Sequence, residues 1–463
     1  MLIDDAADLS LSDPGPIELS RGLLERLETT RYAALAALTA GAPVYGVTTG
    51  MGALSKVRLN DAEQRVHQRN LLQARAAGGE PWLPPMEARA VVLARLRTFL
   101  TGDAAVSPEL CLQLVAMLNS GLVPAIPASG AGSAGEIIPL AHAFGPLIGI
   151  GSFLTMPAKG VLPPFELGPK EGIALLAGIP GCTGRAWLQV ENAQRLSKNL
   201  SLIAAGAIAV IGANRDPYNP LCGRGDDLLA AELELILQLA GPEPAPRTLQ
   251  SPVSFRVAGQ VISHLKRSVA RLDEAVQRAL TGVTDSPAFL DGDFVGTAGF
   301  HGLDLAAHCD QLVAALAHTA EVSTARMHRL LDPAVTGLPA QLTTAPGPQA
   351  GLVTVHKRAV ATSHYLRRLA LPSAIGSLET SNGQEDVQSF GWEAVGVLTE
   401  AVRLTREVAA CELLTVHQAF ALSERPVPAG LQELFGEIAN VVPPILEDRP
   451  YGVDLAALLE YVV

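Results

Sequence analysis

Residues 132–142 read Gly132-Ser133-Ala134-Gly135-Glu136-Ile137-Ile138-Pro139-Leu140-Ala141-His142. The first half is made of small residues and the second of apolar ones, so the stretch reads as a loop running into a helix. The helix is expected to start near Glu136, because Pro139 is still tolerated within the first turn. Upstream, residues 121–135 carry four glycines and form a small-residue loop.

Outward from this junction the chain is mostly helical in pattern. Helices are expected at about 16–40, 60–76, 86–101 and 107–120, from apolar residues recurring on one face. The stretch 150–170 is Pro/Gly-rich and irregular, with short strands expected. Beyond about 186 the helical pattern strengthens. Leu305, Leu312 and Leu316 share one face, as do Val395, Leu398 and Val402 in a long segment covering about 385–423. The expected class is mainly α, with a smaller N-terminal part over 1–185 and a long-helix bundle over 186–463.

Composition narrows the function. Hydrophobic residues make up 48% and charged residues 17% of the 463 residues, which describes a packed globular chain. Net charge is −12 with no Lys/Arg run, so nucleic acid is not an expected partner. The most apolar uncharged stretch, Asn199 to Asn214, is too short to span a bilayer and reads as a buried core helix. Cys111, Cys182, Cys222, Cys309 and Cys411 are widely separated, which fits reduced thiols and no metal site. The N-terminus Met1-Leu2-Ile3-Asp4-Asp5 is acidic where a signal peptide would be basic. A cytoplasmic location is therefore expected.

Further segments carry chemistry-bearing side chains. Tyr45-Gly46-Val47-Thr48-Thr49-Gly50-Met51-Gly52 is a tyrosine on a glycine-rich loop, either mobile or tightly turned. Pro169-Lys170-Glu171-Gly172 follows the irregular stretch. Arg215-Asp216-Pro217-Tyr218, Gly299-Phe300-His301-Gly302 and Gln384-Glu385-Asp386 come later. Singly, these have ordinary structural readings. Glu385 and Asp386 suit the first turn of a helix, Tyr218 a buried phenol with a satisfied hydroxyl, and Arg75 and Arg215 the surface.

In this order and at these separations, the segments together resemble the aromatic amino-acid ammonia-lyases and aminomutases, including histidine and phenylalanine ammonia-lyases. The resemblance runs from about Tyr45 to Gly391. It implies a helical bundle of that family's type, assembled as a homotetramer with active sites built from several chains. It also implies a cofactor made from the chain itself. In the family an internal Ala-Ser-Gly cyclises and dehydrates to a methylidene-imidazolone (MIO), whose alkene is the electrophile.

This sequence departs from the family at that loop. Aligned from His142, the Ala-Ser-Gly positions hold Ser133, Ala134 and Gly135, and the loop is one residue shorter than expected. Ala134 has no hydroxyl to eliminate, so no MIO is expected. An Ala128-Ser129-Gly130 lies upstream, so a displaced MIO there stays open. The family's cofactor-side asparagines fall on Ala177 and Gly299, and its substrate-carboxylate arginine falls on Leu221. The histidine of histidine-specific members falls near Arg75, and the glutamine before Asp-Pro-Tyr falls on Arg215.

The acid/base residues are kept. By resemblance, Tyr45, Tyr218 and Glu385 are the catalytic candidates, and Arg75, Arg215, Asn70, Phe300 and Gln384 the substrate-binding ones. A phenol acting as a base near neutrality needs a depressed pKa, which a nearby arginine can supply. The expected function is MIO-independent acid/base chemistry next to a carbonyl: elimination, isomerisation or conjugate-addition cyclisation. The expected substrate is a specialised small molecule of secondary metabolism with an anionic group. A catalytically inactive binding paralogue is the alternative from another class. No metal, nucleotide, flavin or membrane is expected.

Overall fold

The computed structural model describes residues 1–12, 15–155, 162–245 and 249–462. Within the irregular stretch 150–170, residues 156–161 lie outside the described residues. The rest of it holds no strand, only an isolated bridge from Phe153 to Pro124. The fold is mainly α, as the periodicity requires.

The chain divides into two compact units. One is Met1–Leu188, Leu272–Asp310 and Pro372–Gly396, and the other is Gln189–Arg271, Gln311–Leu371 and Val397–Val463. The chain first passes between them after Leu188 and then returns to the first unit at Leu272 and again at Pro372. The reason is helix length. Pro180–Val210, Ala258–Thr281, Leu303–Leu330 and Gly391–Leu422 each carry residues of both units.

In the first unit, capping side chains set the helix starts. Ser20 accepts from the Leu23 amide ahead of the Arg21–Thr39 helix, and Ser107 accepts from the Leu110 amide ahead of Pro108–Asn119. Asn60 and Glu63 form a reciprocal capping box on the Asp61–Arg75 helix. The Pro85–Phe99 helix is buried on nearly every side through Val91, Val92, Leu93, Leu96 and Phe99. Its strands are short: Leu2–Ile3 pairs parallel with Glu18–Leu19, and Ala288–Leu290 pairs antiparallel with Asp293–Val295. The long C-terminal segment becomes helical only at Gly391, so Glu385 and Asp386 cap no helix.

The second unit is a bundle of long helices with small buried residues. Ile203, Ala204, Ala205, Ala207 and Ile208 are all buried, so the apolar stretch is a core helix as expected. Leu312, Leu316, Leu398 and Val402 are buried too. Inside the bundle Arg326 makes a two-pronged bond to Glu412, Nε to Oε1 at 2.6 Å and Nη2 to Oε2 at 3.0 Å, with both side chains shielded from water. Removing one partner of such a pair leaves an uncompensated buried charge. We expect Glu412→Ala to lose about 3–5 kcal/mol in chemical denaturation; a loss within experimental error would show that Arg326 finds other partners.

Candidate active site

A cavity of about 420 Å³ opens in the first unit. Tyr45 and Met51 reach it from the glycine-rich loop, and Ala134, Gly135 and Ile137 from the 132–142 junction. Ile173, Leu176 and Ala177 form another wall. Ser286, Phe300 and His301 close one side, and residues 384–387 the other.

The Tyr45 loop is tightly turned. The Gly46 and Gly50 amides donate to Gly50 and Val57 carbonyls, and the Leu59 amide donates to Thr48 O. Gly46 sits at φ +68°, and a Cβ there would lie 2.2 Å from Ile173 Cδ1, so the loop rests directly on the cavity wall. The Gly52 amide donates to the Tyr45 hydroxyl oxygen at 2.7 Å.

Tyr45 was expected to be acidified by an arginine. Its pKa instead lies above the ordinary phenol value. Burial is the largest cause. The Gly52 hydrogen bond acts against it, the Glu385 charge adds to it, and the Arg75 charge opposes it. The arginine is in reach, but desolvation outweighs it, so at neutral pH Tyr45 is a protonated donor rather than a phenolate base.

Glu385 also lines the cavity. Its Oε2 accepts from the Thr380 hydroxyl at 2.8 Å and, at a longer 3.4 Å, from the Ala134 amide. Arg75 is half-buried, and burial is the main cause lowering its pKa, with Tyr45 and Glu385 acting to raise it. Its Nη1 makes a long 3.3 Å bond to Leu71 O, and its buried Nε has no partner. Among the described residues it has no carboxylate within ion-pair distance. A desolvated guanidinium in that state favours an anionic ligand.

Other expected site residues are placed differently. Phe300 and Gln384 line the cavity; Asn70 lies on an exposed face of the Asp61–Arg75 helix and does not. Tyr218 and Arg215 belong to the second unit, and neither lines the cavity. The Tyr218 hydroxyl donates to Phe255 O at 2.9 Å, and burial holds its pKa far above the phenol range. Arg215 donates Nε to Gly241 O at 3.0 Å, Nη2 to Ala240 O at 2.9 Å and Nη1 to Ala213 O, so carbonyls of its own unit absorb the donors expected for substrate. Leu221 is largely exposed.

Met51, Ile173, Leu176 and His301 lie in or beside the quoted motifs but were not singled out as site residues, and Ser286 lies outside all of them. The Pro-Lys-Glu-Gly motif proves to be structural. Lys170 is fully buried and ion-paired with Asp285. Glu171 accepts from the Ser107 hydroxyl at 2.6 Å and from the Gly168 amide at 2.7 Å. Buried Arg95, its pKa lowered to about 10 mainly by burial, donates to Ala177 O and so fixes that wall. Glu136 accepts from the Gly181 and Cys182 amides at 2.6 Å each, at the start of the Pro180–Val210 helix.

The residues at the loop do not fit an MIO. Ala134 is the side chain on the cavity wall. Ser133 instead lines a separate void of about 20 Å³, room for one water. Ser129 and Gly130 are exposed, and the Ala128–Gly130 tripeptide does not line the cavity.

The Tyr45 shift carries a pH prediction. A phenol whose pKa is raised on folding contributes stability below its unfolded value, which is lost as pH climbs through the folded value. Ultraviolet titration of the protein minus that of Tyr45→Phe should place the Tyr45 step above pH 10.0. A step at or below that value would contradict the burial argument.

Residues 2–440 match the family model of the aromatic amino acid lyases. The chain is 32% identical over 442 residues to a histidine ammonia-lyase of Symbiobacterium thermophilum, covering 91% of this chain and 87% of that protein. It is 31% identical over 464 residues to a histidine ammonia-lyase of Deinococcus radiodurans, covering 96% and 88%. Its fold superposes on the tyrosine aminomutase of Streptomyces globisporus with a TM-score of 0.91 at 23% identity, covering 98% of this chain and 93% of that one. Ergothionase of Treponema denticola, an ergothioneine-degrading enzyme, gives 0.91 at 23% identity, covering 99% and 97%. Among the described residues no helix is long and apolar enough to cross a membrane. The chain belongs to the aromatic amino acid lyase family.

Proposed function

We propose that this protein is an MIO-independent enzyme of that family, acting on a carbonyl compound with an anionic group by proton transfer alone. The observation that carries the reading is Ala134 on the wall of the cavity that also holds Tyr45 and Glu385. The family's electrophile needs a hydroxyl at that point, and the acid/base groups around it are kept.

Glu385 suits the role of base. Both groups bonded to Oε2 are donors, as a carboxylate requires. It takes a proton from the carbon next to the substrate carbonyl. Tyr45, kept protonated by burial, gives a proton to the enolate oxygen or to the departing group. Arg75 does not line the cavity, but it lies within charge range of Tyr45 and Glu385, and its unpaired Nε is the donor assigned to the substrate's anionic group. The apolar wall of Met51, Ile137, Ile173, Leu176 and Val387 suits a carbon skeleton. Elimination and isomerisation share this first step; conjugate-addition cyclisation reaches the same enolate by addition at the β-carbon and ends with a proton returned to the carbon next to the carbonyl. The substrate is a specialised metabolite rather than free histidine or phenylalanine, since the amino-acid anchor position is Leu221. The working form is a cytoplasmic homotetramer.

The test is proton exchange in heavy water with a panel of keto carboxylates that carry a hydrogen on the carbon next to the ketone, followed by proton NMR. The native chain should exchange the hydrogen next to the carbonyl of at least one compound. Tyr45→Phe and Glu385→Gln should each lower that rate by about 10²-fold or more, and Arg75→Leu should raise KM more than it lowers kcat. No exchange with any compound would support an inactive binding protein. Ammonia release from histidine, phenylalanine or tyrosine would support a displaced MIO.

A further inference from the structure

Gln68 is the point at which the Tyr45 loop is fastened to the cavity wall. It lies on the Asp61–Arg75 helix and is 1% exposed. Its carboxamide serves two separate backbone segments. Nε2 donates to Gly46 O at 3.0 Å, one residue beyond Tyr45, and Oε1 accepts from the Ile173 amide at 3.2 Å. Ile173 is in the first turn of the Glu171–Leu176 helix, where amides lack partners within the helix. The partners fix which way the amide points, because the flipped amide would set oxygen against oxygen and N–H against N–H.

Close packing backs up these bonds. A Cβ on Gly172 would lie 2.2 Å from the Gln68 carbonyl oxygen, so the short helix rests on the backbone of Gln68 itself. Ile173 in turn occupies the space that a Cβ on Gly46 would need. Loop, helix and wall therefore meet around one neutral amide.

We propose that Gln68 is a positioning residue for Tyr45: it holds the loop against the cavity wall so that the phenol stays buried there. The role requires a group that donates on one side and accepts on the other. Leucine does neither. A carboxylate accepts on both sides and faces the Gly46 carbonyl with a negative charge. A protonated carboxylic acid has the right pattern, so Gln68→Glu should work when protonated and fail when ionised. The inference rests on reading Tyr45 as the proton-transfer group, but its test reads Tyr45 directly and needs no substrate.

The experiment combines ultraviolet titration of Tyr45, taken as the difference from the matching Tyr45→Phe protein, with hydrogen-exchange mass spectrometry. In Gln68→Leu the Tyr45 step should fall toward the ordinary phenol value. Exchange of residues 44–52 should rise by about tenfold or more, with the Val353–Leu369 helix unchanged. In Gln68→Glu, exchange of the same loop should match the native chain at low pH and rise as the new carboxyl ionises. A Tyr45 step and loop exchange unchanged in Gln68→Leu would overturn the proposal. So would exchange raised equally throughout the chain, which marks a purely structural residue. Should Gln68→Leu not fold, Gln68→Glu decides alone, and loop exchange without a pH-dependent step overturns the proposal. A failed deuterium-exchange screen would sink the proposed function while leaving this result standing.

Discussion

The buried ion pair of Lys170 with Asp285 is the constraint on which the cavity depends. Burying two charges is costly: desolvation lowers the Lys170 pKa and raises that of Asp285, and Asp285 Oδ1 is left without a hydrogen-bond partner, so the pair is a constraint on position more than a gain in stability. Here the pair ties the turn before the Glu171–Leu176 helix to the turn before the Ala288–Leu290 strand. Lys170 itself sits at φ +73°, a conformation that this anchoring sustains. Arg95 adds a third charge to the cluster and holds the carbonyl of Ala177. The cavity wall from Ile173 to Ala177 is thus set by groups that never face the substrate.

On that wall the residues depart from the pattern that the family resemblance implies. The electrophile position has become a methyl group, and two asparagine positions have become Ala177 and Gly299. Tyr45 and Glu385 line one cavity, and Arg75, which does not line it, is near enough for its charge to act on Tyr45 and carries an unpaired nitrogen. Desolvation governs both Tyr45 and Arg75, raising the phenol and lowering the guanidinium. The same burial that disfavours a resting phenolate strengthens any hydrogen bond Tyr45 makes to a developing enolate. The site suits proton transfer to and from carbon more than attack on an amine.

Local signals in the sequence were readable because their causes are local. The helices expected at about 16–40, 60–76, 86–101 and 107–120 are found at Arg21–Thr39, Asp61–Arg75, Pro85–Phe99 and Pro108–Asn119, and the apolar faces of Leu312/Leu316 and Leu398/Val402 are buried. The cavity residues Tyr45, Ala134, Gly135, Phe300, Gln384 and Glu385 were legible through the family resemblance of their segments. Tyr218 and Arg215 were not, since residue type says nothing about carbonyls such as those of Phe255 and Ala240 that claim their donors. The direction of the Tyr45 shift was also hidden, because it is a balance between burial and opposing charges. The interleaving of the two units follows from helices whose two ends lie in different units, which no local pattern announces.

The claim at the centre is that catalysis here proceeds without an MIO, and the intact mass of the purified chain tests it most directly. The account predicts the mass of the encoded sequence with no internal dehydration. A mass lower by two water molecules would mean that a serine, Ser129 or Ser133, has cyclised, and would contradict the account.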